Sequence, residues 1–88
     1  MKKENTKNDK ITVSIRSRKE QLFSGEASSV TSKNDSGIFD ILPFHVNFIT
    51  LIYDFIIIDR NLDTEKTFDI ENGILCVLGN KVDIHIGL

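Results

Sequence analysis

The chain holds a single cysteine, Cys76, among its 88 residues, so an internal disulfide framework is excluded and the lone thiol fits a reducing cytoplasm. An excess of charge of one sign is missing too. Eleven Lys and Arg stand against thirteen Asp and Glu. The resulting net charge of −2 argues against nucleic acid as a partner, which calls for a basic face. Long apolar runs are also absent. The greasiest window, residues 48–58, is eleven residues long and contains Asp54, whereas a membrane-crossing helix takes about 20 apolar residues. The basic start is followed by no apolar stretch of the kind a secretory signal needs. No segment offers three turns of amphipathic helix with caps. What remains is one small domain, 40% hydrophobic and 27% charged, able to fold and stay soluble.

The positive signal is a period of two. Ile11, Val13 and Ile15 alternate with Thr12, Ser14 and Arg16, the mark of a half-buried strand. The same alternation returns at Phe68 and Ile70, and again at Val82, Ile84 and Ile86 against Lys81, Asp83 and His85. Turn signals separate these runs: Ser24-Gly25, Asn34 to Gly37, Asn61 to Thr64, Asn72-Gly73 and Gly79-Asn80. Gly73 is expected to supply a positive φ after Asn72. Short strands with frequent turns predict an all-β fold, an antiparallel β-sandwich. Residues 1–10 carry no apolar side chain after Met1 and read as a disordered tail, with the domain over 11–88.

Three runs break the alternation. Residues 48–52, 55–58 and 74–78 are apolar on both faces of a strand. A sandwich of this size has one interior, so the second face is either covered by loops or docks on another protein.

Catalytic and metal chemistry find little support. His45, His85, Cys76 and Asp40 are the candidate groups, but no nucleophile, base and orienting group recur together. Cys76, within an apolar run, reads as a small buried hydrophobe. The spacing of His45, Cys76 and His85 matches no zinc pattern, and no phosphate-binding glycine loop opens a helix. No cofactor, metal or catalytic residue is expected. Pro43 lacks an amide donor and forces a corner after Leu42. His45 either ties that corner down through its ring nitrogens or projects at a partner.

Four segments in order carry a resemblance. They are Phe23-Ser24-Gly25, Ser29-Val30, the run from Gly37 through Phe39, Ile41, Leu42 and Pro43 to His45, and the finish Asn72-Gly73-Ile74 with Asn80-Lys81-Val82-Asp83-Ile84. Together they resemble the N-terminal β-sandwich of the epsilon subunit of F-type ATP synthases, over about residues 11–84. The chain departs from that pattern at Asp40 and Phe44, where glycine is usual, at Asn47, where proline is usual, and at Ile38, where many members are acidic.

The resemblance implies a roughly ten-stranded sandwich at the foot of the central stalk. It implies a non-catalytic rotor subunit of a proton- or sodium-translocating ATP synthase, docking the gamma subunit onto the c-subunit ring. The chain would be held peripherally at the cytoplasmic face of the cell membrane, with no direct membrane insertion. Ser17 and His45 match gamma-facing positions. The turn of Asn34, Asp35, Ser36, Gly37 and Ile38 matches the loop that meets the c-ring, while Phe23, Gly25, Phe39, Pro43 and Gly73 match turn and corner positions. The two C-terminal helices of typical bacterial members have no counterpart before Leu88, so neither their inhibition of ATP hydrolysis nor an ATP site is expected. The alternative is a stand-alone adaptor reusing this sandwich, or a subunit of an ATPase paralogue not engaged in ATP synthesis.

Overall fold

A computed structural model describes residues 9–87, and every element in it is a strand: β1 (Ile11–Arg16), β2 (Gln21–Ala27), β3 (Val30–Asn34), β4 (Gly37–Ile41), β5 (Phe48–Ile58), β6 (Lys66–Leu78) and β7 (Lys81–Ile86). Of the tail expected over residues 1–10, only Asp9 and Lys10 are among the described residues, and Lys10 Nζ donates to Ser28 Oγ at 3.1 Å. The hydrogen-bonded order is β2-β1-β7-β6-β5-β3-β4. All neighbours are antiparallel except β1 and β7, which run parallel from Thr12–Lys81 to Arg16–His85. The sandwich is therefore mixed, not wholly antiparallel as expected. No local turn records this pairing, because its two strands are the first and last among the described residues.

One continuous ladder makes both layers by folding over. Phe39 pairs with Ser32, and Ser32 with Ile56, eight residues along β5 from Phe48. In a straight strand that is roughly 26 Å, yet the Phe39 and Phe48 rings lie edge to face with centroids 6.0 Å apart. Phe23 of β2 meets Phe68 of β6 in the same way at 6.3 Å, across the sandwich. Strands β5 and β6 thus run through both layers. Counting them once gives seven strands where about ten shorter ones were expected; counted in each layer they give nine.

A bulge makes the crossing possible. Tyr53 pairs with Asn72 and Asp54 with Ile70, which leaves Glu71 as the extra residue, and Asp54 takes φ 75°. The extra residue inverts the inward phase of β6. Phe68 and Ile70 point inward before it; Gly73, Leu75 and Val77 do so after it. Without that inversion Ile74, Cys76 and Leu78 would take the inward positions and Leu75 and Val77 would face out.

Gly73 sits next to this bulge, inside β6 and not in a turn, and it is absent from the positive-φ residues. Its role is space. A Cβ there would stand 2.8 Å from the His85 carbonyl oxygen and 3.2 Å from Ile86 Cγ2. Gly25, expected at a hairpin turn, likewise lies within β2 and pairs with Val13. The first hairpin instead closes at Ser17, whose amide donates to the Glu20 carbonyl at 2.9 Å.

The buried core is nearly all β-branched: Ile11, Val13 and Ile15 from β1, Ile52, Ile56 and Ile58 from β5, Val82 and Ile84 from β7, with Val30, Ile41, Leu75 and Val77. Such side chains fit a pleated surface and lose little rotamer freedom on burial. Each contributes roughly 1.5–3 kcal/mol. Phe23, Phe39, Phe48 and Phe68 pack against this core and stay half-buried.

The β5–β6 connection is held by Asp59. Its Oδ1 accepts from Ser28 N at 2.6 Å and its Oδ2 from Thr64 Oγ1 at 2.6 Å, while its own amide donates to the Ser29 carbonyl. Asp59→Ala leaves the Ser28 donor without this carboxylate and places alanine at φ 53°. A loss of about 1–3 kcal/mol in chemical denaturation is the expected result.

Candidate docking face

On the outer surface, the first half of β5 and the second half of β6 lay down an apolar stripe. Ile49 pairs with Cys76 and Leu51 with Ile74, so all four side chains share one face, and Leu78 extends it. Ile49 is 70% exposed, Leu51 53% and Leu78 66%. Ile74 and Cys76 are half-buried between them. Among the described residues no loop covers the stripe. The other doubly apolar run ends differently: outside its buried Ile56 and Ile58, Phe55 and Ile57 are half-buried.

The neighbouring strands make the same face polar. Asp83 lies beside Cys76, His85 beside Ile74 and Lys81 beside Leu78. Thr12, Ser14 and Arg16 of β1 continue the rows beyond β7. The face is thus half aliphatic and half charged, divided along the β6–β7 boundary. An exposed aliphatic strip of this kind marks a surface that docks on a partner.

Two loops flank the stripe at the Asn80 end. Phe44 N donates to Asn80 Oδ1 at 2.7 Å, and Gly79 N donates to Asn47 Oδ1 at 2.8 Å. These bonds pin residues 42–47 to the β6–β7 turn. Nothing in the sequence flagged Asn47 and Asn80 as a pair, since each alone reads only as a turn residue.

His45 closes the corner after Pro43. Its amide donates to the Leu42 carbonyl at 3.1 Å, Nδ1 lies 2.8 Å from the Val46 carbonyl oxygen, and the ring packs on Phe48 with centroids 5.2 Å apart. Ser17 caps the β1–β2 turn, its Oγ accepting from Lys19 N at 3.2 Å and Glu20 N at 3.3 Å. These two residues do not meet. Ser17 follows Arg16, beside His85, whereas the His45 loop is clamped to Asn80, near Thr12 at the other end of β1. From Thr12 to Arg16 is about 13 Å along the strand.

The Asn34–Gly37 turn forms the β3–β4 hairpin tip. Ser36 N donates to Asn34 Oδ1 at 2.9 Å, Asn34 Nδ2 donates to Thr50 Oγ1 at 3.1 Å, and Gly37 takes φ 121°. Ile38 follows, 65% exposed. Asp35, Ser36 and Ile38 are exposed at this tip, which the Asn34–Thr50 bond ties to β5.

The remaining chemistry stays scattered. Cys76 lies on the stripe and His85 on the polar half of the face. Among the described residues no group of three or more His, Cys, Asp or Glu gathers as metal ligands, and no helix is long and apolar enough to cross a membrane.

The fold and this surface define a class: small mixed β-sandwiches with one aliphatic outer stripe. Residues 10–86 match the family of the ATP synthase delta/epsilon chain, β-sandwich domain. The chain belongs to that family. Its fold is similar to a chain in the Euglena gracilis mitochondrial ATP synthase, in a structure of OSCP, F1 and c-ring in rotational state 1. There the TM-score is 0.78 at 16% identity, over 88% of this chain and 50% of that one. It is also similar to a chain of the central stalk and c-ring of the Tetrahymena thermophila mitochondrial ATP synthase. In that case the TM-score is 0.70 at 16% identity, over 89% of this chain and 63% of that one. The chain thus spans less than two thirds of either neighbour. No curated protein matches it in sequence.

Proposed function

We propose that this chain is a non-catalytic central-stalk subunit of a proton- or sodium-translocating F-type ATP synthase. It docks the gamma subunit through the β5–β6 stripe and meets the c-ring through the Asn34–Ile38 tip, coupling rotation to ATP synthesis on other chains. The observation that carries this reading is the aliphatic stripe with Ile49, Leu51 and Leu78 bare on a sandwich of this family. Its mechanism is mechanical. One ladder running through both layers, packed with stiff β-branched side chains, resists shear and passes torque between two partners. The subunit is held at the cytoplasmic face of the membrane by the complex alone.

The test is co-expression with gamma from the same organism, read by size-exclusion chromatography. Stable co-elution is the expected outcome. A monomer that ignores gamma would sink the rotor reading and leave the adaptor reading in front. Ser17→Trp and His45→Ala address the family-matched positions. Each is expected to weaken gamma binding severalfold by titration calorimetry with the domain still folded, and unchanged affinity for both removes these residues from the interface.

A further inference from the structure

The loop of residues 42–47 departs in two ways from what an isolated domain needs. Phe44 takes φ 67°. The other non-glycine residues at positive φ are Asp54, Asp59 and Asn61, types whose short polar side chains suit the left-handed region. Phenylalanine has no such compensation. Its ring is also 72% exposed, and its neighbours Leu42 and Val46 are exposed beside it. A bulky residue held in a strained conformation marks a position kept for a purpose outside the local fold. Three exposed apolar side chains in one loop exceed the single scattered ones that need no explanation.

The conformation is nevertheless firmly set. The clamps from Asn80 to Phe44 N and from Asn47 to Gly79 N hold both sides of the loop, and the His45–Leu42 backbone bond closes its middle. The Gly79 clamp falls directly after Leu78, the last exposed side chain of the stripe.

We propose that Phe44 is an anchor that inserts into an apolar pocket of the gamma subunit, extending the β5–β6 face around its end. This rests on the reading that gamma covers that face. The occupant follows from placement. Residues 42–47 and the hairpin tip leave opposite ends of β4, about 13 Å apart along the strand, so the loop and the tip are separate points of contact. The asparagine clamps make the loop continuous with the stripe. A presented aromatic whose backbone is fixed beforehand loses little freedom on binding, which is how interface hot spots form.

The test compares the full chain with Phe44→Gly and Phe44→Ala, measuring affinity for purified gamma and the thermal midpoint of each free protein. Glycine adopts φ 67° without a steric penalty, so F44G is expected to melt at the same temperature or higher while losing at least tenfold in affinity. F44A is expected to lose affinity similarly. A structural role would show the reverse, a lowered midpoint in F44G, and that result overturns the proposal. Wild-type binding with both variants unchanged in affinity also overturns it while leaving the docking face intact. Failure of the wild type to bind gamma removes both.

Discussion

Gly73→Ala is expected to lower stability by about 3 kcal/mol, the upper part of the usual range for overpacking a tight site. For a domain of this size that is a fall of roughly 12–24 °C in thermal midpoint. The added methyl would meet the His85 carbonyl at 2.8 Å, with Ile86 Cγ2 and Ile52 Cγ1 closing the remaining sides. Backbone on a paired strand cannot swing aside as a side chain tip can. The damage falls beside the bulge, where β6 leaves one layer for the other, so it loosens the junction between layers. Gly79 is the control. It has φ 64° and nothing within 4 Å of its absent Cβ, so its constraint is conformational and asparagine should be tolerated there. At Gly73 asparagine should do worse than alanine, because the constraint is volume. Thermal melts of the three variants decide it. A Gly73→Ala protein within 1 °C of the parent would show that the β6–β7 contact yields at little cost.

That contrast also marks how far the sequence could be read. The Ile11-Val13-Ile15 and Val82-Ile84 alternations predicted buried rows, and the strands bury those residues. The doubly apolar runs announced a second face, and for Ile49, Leu51 and Leu78 that face is bare. The Gly73 expectation failed for a definite reason. Asn-Gly is a local turn signal, but here the glycine is selected by a strand that pairs with it from thirteen residues further on. Glu71 was equally opaque, since an extra residue in a ladder is defined only by its partner strand. The parallel β1–β7 pair and the Asn47–Gly79 and Asn80–Phe44 clamps are long-range in the same sense. At the candidate site, residue types were legible and their grouping was not. His45 and Ser17 each settle a turn at different ends of β1, and Phe44, visible in the sequence as a departure from glycine, shows its positive φ and exposure only in the fold.

Leu51→Lys should abolish co-elution with gamma while leaving the free domain folded. In the unbound chain Leu51 is already half exposed, and a lysine there keeps its ammonium in water with its stem along Ile74, a change within about 0.5 kcal/mol. Docking reverses the balance. The nearest side chains on the same face are Ile49, Tyr53 and Ile74, none of which carries a carboxylate, and the next residue across the ladder is His85. A covered ammonium at the centre of the stripe is then both desolvated and unpaired. Roughly 3 kcal/mol of penalty corresponds to about a hundredfold weaker binding, enough to separate the two proteins on a column at micromolar concentration. Thr12→Lys, on the polar half of the same face, is the matched control. It adds the same charge between Lys81 and Glu26, and should change affinity less than tenfold. Equal loss from both substitutions would point to long-range charge repulsion with gamma, not to a buried stripe. No loss from Leu51→Lys would place gamma on another surface of the sandwich.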